Sequence, residues 1–308
     1  TRRAAIMQTL KCWHPDIKEF VEAKQKEEKK AHALIDEGYD GSFNGPAYGS
    51  VAFQNVNQSL RVTDDFMALA EWNRNNDDKE MYNLVSPYHG DVLDEVDPDE
   101  IMKIVSDGTW ICGDPGLQYE DHIQKWHTCK STAPINSSNP CSEYLFLDNS
   151  ACNLASLNVK KYIEYTEDGV ALDINFDRLQ QAARIFITAQ EIFVDNAGYP
   201  GEEIARNSHL FRPLGLGFAN VGALLMEFGL PYDSDEGRSL AAALMATEHF
   251  AAYDESANIA SRLGPFEGYR ENEESFDNVM RMHYEASVDK WDESIINIPQ
   301  LFQTCGQR

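Results

Sequence analysis

The chain has 308 residues, 43% of them hydrophobic and 11% aromatic, which is enough apolar material for one large core or two ordinary ones and excludes a disordered chain. Its 51 acidic against 26 basic residues give a formal charge of −25, which repels a phosphate backbone and argues against a nucleic-acid polymer as partner. No run approaches the roughly 20 apolar residues of a membrane span, and the first residues lack the layout of a signal peptide. A cytoplasmic protein without a membrane partner is therefore expected.

Residues 4–10 read as a strand entering a core, and because the first residue is not Met the chain is expected to begin inside a larger protein. After Trp13-His14-Pro15-Asp16, the apolar positions Ile17, Phe20 and Val21 predict a long helix. Residues 41–49 form a Gly-, Asn- and Pro-rich loop, 51–56 read as a strand, and Thr63 is placed to cap the next helix. Residues 73–98 read as a polar loop, and a short helix through Ile101, Ile104 and Val105 leads to a turn at Gly113-Asp114-Pro115-Gly116. Residues 131–140, dense in Ser, Asn and Pro, are expected to be an ordered loop. Helices are predicted over 172–194 and 239–263, with a buried strand at 213–218 that opens another helix. The acidic stretches 91–100 and 271–277 should be solvated. This alternation favours the α/β class and a single domain, or part of one, over residues 1–308.

The six cysteines, Cys12, Cys112, Cys129, Cys141, Cys152 and Cys305, show no CxxC pair and no zinc-type spacing, which predicts reduced thiols and no metal site. His14, His127 and His209 stand alone and read as structural hydrogen-bonders. Gly215, Gly217 and Gly222 miss the dinucleotide-binding spacing and read as close strand–helix packing. Asn139, Cys141 and Glu143 stand at i, i+2 and i+4, and Pro140 keeps Asn139 out of helical conformation. An extended run there would present an amide, a thiol and a carboxylate on one side. A polar loop with a chance cysteine has the same spacing, so spacing alone does not select a site.

The run Asn139-Pro140-Cys141-Ser142-Glu143, with Ala151-Cys152-Asn153-Leu154-Ala155-Ser156-Leu157-Asn158 behind it, resembles the finger loop and following strand of ribonucleotide reductases. The wording is closest to the adenosylcobalamin-dependent, or class II, branch. Similar words recur almost end to end, among them Phe43-Asn44-Gly45, Phe53-Gln54-Asn55, Asp114-Pro115-Gly116, Trp126-His127-Thr128-Cys129 and Arg212-Pro213-Leu214-Gly215. The resemblance implies a ten-stranded α/β barrel of two half-barrels, of which residues 1–308 are part, with Cys141 at the tip of a central loop. It implies that Cys141 carries a thiyl radical, that Glu143 takes the ribose 3′-hydroxyl proton, and that Asn139 orients the sugar. Pro140 and Ser142 complete the substrate-binding run, and Cys152 is implied to be one thiol of the reducing pair. Arg2 and Arg3 resemble the end of a loop that relays effector identity to the substrate base.

The partners implied are a ribonucleotide substrate, deoxynucleotide or ATP effectors, a thioredoxin-type reductant, and a homodimer or complementary chain segments. The implied cofactor is adenosylcobalamin. On the same pattern, the partner thiol of Cys152 is expected upstream of Thr1 and a phosphate-binding loop downstream of Arg308, so the chain alone should not turn over. Two alternatives stay open: the oxygen-dependent class, whose large subunit receives its radical from another subunit, and a non-catalytic half of a split reductase.

Overall fold

A computed structural model of the chain describes residues 4–288. It divides into two compact units, one of Thr1–His127 with Pro134–Asp148, the other of Thr128–Ala133 with Asn149–Arg308.

The first unit begins with strand β1 (Ile6–Lys11), helix α1 (Ile17–Asp36) and a single-turn helix α2 (Pro46–Gly49). Strand β2 (Val56–Val62) and helix α3 (Asp64–Asn75) follow, then a hairpin of β3 (Tyr82–Val85) and β4 (Val92–Val96). Helix α4 (Pro98–Cys112), strand β5 (Gly116–Tyr119) and helix α5 (Glu120–Lys125) complete it. β2 lies between β1 and β5, parallel to both, with Leu60 opposite Leu10 and Leu117. Crossover helices are what parallel strands require, and Ile17, Val21, Phe66, Ile101 and Val105 from those helices meet Leu60 and Val62 in one core. Thr63 caps α3 as expected, its Oγ1 accepting from Phe66 N at 3.2 Å.

The second unit starts at β6 (Asn153–Asn158), passes a 3₁₀ turn and the antiparallel hairpin β7 (Ile163–Tyr165) and β8 (Ala171–Ile174), and enters helix α6 (Phe176–Asn196). Helix α7 (Glu202–Phe211), strand β9 (Leu214–Ala219), and helices α8 (Val221–Glu227), α9 (Asp235–Leu263) and α10 (Tyr269–Val288) follow. β9 pairs parallel with β6, and Leu157, Leu179, Ala183, Leu224 and Leu244 form the core. Arg212 turns the chain from α7 into β9 in the left-handed region (φ 48°), its guanidinium donating to Glu191 at 2.6 Å and Asp195 at 2.8 Å.

The α/β class stands. The described strands form one three-stranded and three two-stranded sheets and close no barrel. Four local expectations are corrected. Residues 51–54 are not extended; the strand begins at Val56, where pairing with β1 becomes available. The polar stretch 73–98 contains the β3–β4 hairpin, whose Leu84 is buried while most of β4 is solvated, so hydrophobicity alone understates it. The helix predicted from residue 172 starts at Phe176, because Ala171–Ile174 pairs as β8 and Asn175 caps the helix, accepting from Arg178 N at 2.9 Å. The acidic residues of 271–277 are exposed on α10 as expected, whereas Asp99 in the other acidic stretch is buried between Arg74 and Lys103, paired charges offsetting its desolvation.

Glu248 on α9 is 1% exposed, and both its carboxylate oxygens lack a hydrogen-bond partner. Burial without a cation favours the neutral acid and pushes its pKa up to about 7. The folded chain thus holds the proton through a range where the unfolded carboxyl has lost it. This contribution to stability is fully present below about 4.5 and is lost as pH rises towards 7. Glu248→Gln is expected to raise unfolding stability at pH 8 by on the order of 2–3 kcal/mol and to change it little at pH 4. Urea denaturation at the two pH values checks this, and equal effects at both would exclude ionisation as the cause.

Candidate active site

Residues 134–148 belong to the first unit as a loop anchored at its base by a buried cation. Arg61 on β2 is 1% exposed, and its Nη2 donates to the carbonyl of Ile135 at 2.6 Å. Its Nε pairs with Glu120 at the start of α5, and its Nη1 donates to Gln118 Oε1 on β5 at 3.2 Å. Gln124 clamps the same residue from α5, donating to Ile135 O at 2.8 Å and accepting from Ile135 N at 3.3 Å.

Beyond that base, Ser138 and Leu145 form an antiparallel bridge, and the chain between them reverses. Asn139 N donates to Tyr144 O at 3.2 Å, Tyr144 N donates to Asn139 Oδ1 at 3.0 Å, and Ser142 N donates to Asn139 O at 3.0 Å. The last bond closes a four-residue turn with Pro140 at its second position, which suits proline's fixed φ, and Ser142 takes a left-handed φ of 65°. Asn57 on β2 donates to the carbonyl of Pro140 at 2.6 Å. Cys141, Ser142 and Glu143 are exposed, and neither the Cys141 thiol nor the Glu143 carboxylate has a hydrogen-bond partner among the described residues.

The expected extended run is therefore corrected to a turn. Two-residue alternation assumes a chain that keeps its direction, whereas the bonds between Asn139 and Tyr144 reverse it. Asn139 spends its amide oxygen on closing the loop and keeps its Nδ2 donor without a partner among the described residues.

Cys152 lies in the second unit, just before β6, and is half-buried. Gly215 on β9 sits opposite Leu154, and a Cβ there would lie 2.6 Å from Leu154 Cδ2 and 3.1 Å from the Cys152 sulfur. That position needs glycine for close approach, but of strand to strand rather than the strand to helix read from sequence. Gly217 and Gly222 have open space where a Cβ would go, so the same reading fails for them. Gln190 on α6 holds the two strands together here, donating to Asn153 O at 2.9 Å and Gly215 O at 2.8 Å.

The other thiols occupy ordinary sites. Cys12 is buried against Tyr82 and Thr63, and Cys112 donates to Gly108 O at 3.3 Å. Burial pushes the Cys129 thiol up to about 11, the opposite of an activated nucleophile. His14 accepts from Asp16 N at 3.1 Å and His209 bonds Ala205 O at 2.7 Å, both structural roles. Arg2, Arg3 and Cys305 lie outside the described residues. Sequence reasoning missed Arg61, Gln118, Asn57, Ser138 and Gln190. A cation between Leu60 and Val62 was the one available signal.

A sequence model of the ribonucleotide reductase barrel domain matches residues 1–300. The chain is 51% identical over 286 residues to a vitamin B12-dependent ribonucleotide reductase of Rhodopirellula baltica, a match covering 93% of this chain and 27% of that protein. It is 42% identical over 288 residues to a protein of the same name from Streptomyces avermitilis, covering 93% and 29%. A vitamin B12-dependent ribonucleoside-diphosphate reductase of Mycobacterium tuberculosis is 28% identical over 271 residues, covering 88% and 34%. The chain thus spans about a quarter to a third of the length of these curated relatives.

Gly215→Ala tests the packing at Cys152. The added methyl is expected to cost about 1–3 kcal/mol, as overpacking does, and to alter the alkylation rate of Cys152 but not that of Cys141. Peptide mapping after brief alkylation checks this, and unchanged labelling of Cys152 would refute the close approach.

Proposed function

Since the chain belongs to the ribonucleotide reductase barrel-domain family, we propose that it is part of the catalytic barrel of a class II reductase, with Cys141 as the thiyl-radical residue. The observation that carries this reading is the braced turn that presents an unpartnered thiol at Cys141 and an unpartnered carboxylate at Glu143, two residues apart. In the complete protein this loop is the finger of a ten-stranded barrel. A ribonucleotide is the substrate, deoxynucleotides or ATP are the effectors, and a thioredoxin-type protein restores the thiols. The oxygen-dependent alternative finds no support in the relatives matched, which are named for vitamin B12.

Adenosylcobalamin, when bound to the complete protein, would supply the starting radical. The groups around the turn, Asn57, Ser138, Asn139 and Ser142, suit the hydroxyls of a sugar rather than the broad apolar face of a corrin. The turn itself does not fit a cradle for the cofactor, and the steps below are those of the chain's own side chains.

The Cys141 sulfur radical takes the 3′-hydrogen atom of the ribose, forming S–H and leaving the unpaired electron at C3′. Glu143 holds the 3′-hydroxyl proton while the 2′-hydroxyl takes a proton from one thiol of the reducing pair and departs as water. Cys152 and the second thiol give up two electrons and two protons in all as they become a disulfide, one proton leaving in the water and the other ending with the two electrons as the new hydrogen on the 2′-carbon. The 3′-hydrogen returns from Cys141, Glu143 returns its proton, and the sulfur radical is restored. Asn139 Nδ2, the donor left over from loop closure, is the group that orients the sugar.

Two substitutions in the complete enzyme separate the thiols. Cys141→Ser is expected to abolish both turnover and the substrate radical, because an alcohol O–H is too strong to serve. Cys152→Ser is expected to keep 3′-hydrogen abstraction but not clean reduction. Electron paramagnetic resonance with product analysis distinguishes them, and normal product from Cys152→Ser would remove it from the reducing pair.

Glu143→Gln keeps size and hydrogen bonding but deletes the base. Turnover is expected to fall by about 10²–10⁴-fold while nucleotide affinity changes little. Steady-state rates with equilibrium binding check this, and near-normal turnover would leave Glu143 with only a bracing role.

A further inference from the structure

The turn that carries Cys141 is connected to the buried Arg61 through two side chains, Gln118 and Ser138. Gln118 on β5 is buried, accepts from Arg61 Nη1 at 3.2 Å through Oε1, and donates from Nε2 to Ser138 Oγ at 2.8 Å. A guanidinium can only donate, so it fixes which end of the amide faces it and turns the NH₂ end towards Ser138. Accepting from Gln118, the Ser138 hydroxyl donates its one proton to Asn139 O at 2.8 Å, a carbonyl that can only accept, and lies 3.2 Å from Ser142 Oγ. Asn139 O is the acceptor that closes the turn around Cys141.

Every link therefore has a defined direction, from Arg61 through Gln118 and Ser138 to the carbonyl of Asn139. The chain is buried at Arg61 and Gln118 and half-buried at Ser138 and Asn139, and it holds geometry because an unmade bond leaves a partly or fully desolvated group unsatisfied. Resting on the radical role read above for Cys141, we propose that Gln118 is a positioning residue for that cysteine, acting through the Ser138 hydroxyl to hold the turn in the geometry hydrogen-atom transfer needs.

Gln118→Glu is the discriminating variant. A carboxylate still accepts from Arg61, so the base of the loop stays paired, but it cannot donate to Ser138. The Ser138 hydroxyl then turns to donate to the carboxylate and releases Asn139 O. In the complete enzyme, kcat is expected to fall by roughly 10–100-fold with KM little changed, since small misplacements at a reacting centre carry penalties of that order. Amide hydrogen exchange at Ser142, whose N–H bonds Asn139 O, should accelerate. Ser138→Ala should reproduce both effects, and Ser138→Thr, which keeps the hydroxyl, should restore them.

Unchanged exchange at Ser142 in both Gln118→Glu and Ser138→Ala would overturn the proposal on the chain itself. If Cys141→Ser is dead while Gln118→Glu and Ser138→Ala both keep kcat within about twofold, the positioning role falls and the radical assignment stands. Turnover surviving in Cys141→Ser would overturn the radical assignment and the positioning claim with it.

Discussion

The first unit is organised around one buried guanidinium. Removing Arg61 from water costs several kcal/mol of solvation, and a lone charge there would be untenable. It is tolerated because its donors are met by a carboxylate from α5, an amide from β5 and a backbone carbonyl from the loop. Each partner comes from a different segment, so satisfying the charge places those segments relative to β2. Lys24 does a related task at the other end of that strand, pairing with Asp114, whose Oδ1 accepts from Gln58 N at 3.0 Å.

The loop inherits its order from that charge. A segment rich in Ser, Asn and Pro has no regular ladder to satisfy its backbone, and here side chains stand in for one: Asn57, Gln124, Ser138 and Asn139 each meet a backbone group of residues 134–148. The radical role proposed for Cys141 would need this kind of support. Hydrogen-atom transfer tolerates little error in distance, and the cysteine itself makes no hydrogen bond among the described residues to hold it in place. The Ser142 backbone, left-handed without being glycine, carries a conformational cost that the surrounding bonds offset.

The second unit treats its thiol differently. Cys152 stands at the mouth of a parallel strand pair, where Gly215 leaves it room and Gln190 holds the two strands together. Deeper in that unit, Glu248 remains in the core without a cation, an exception to the rule that buried carboxylates are paired, and burial pushes its pKa up to about 7.

Local signals were read directly where the chemistry is local. Thr63 caps its helix because a hydroxyl three residues before an amide needs no distant partner, and residues 131–140 form a loop because their side chains compete with a regular backbone. The words around Cys141 and Cys152 named the family from residue identities alone. What the sequence could not supply was which polar groups meet across the fold. The turn at Cys141 depends on Tyr144 returning to Asn139, the hairpin of β3 and β4 on pairing rather than hydrophobicity, and the burial of Arg61 on Gln118, Glu120 and Ile135 converging from 57, 59 and 74 residues away. Spacing along a chain determines which face a side chain takes within one element, whereas satisfying a buried charge or carbonyl is decided only when separate elements pack.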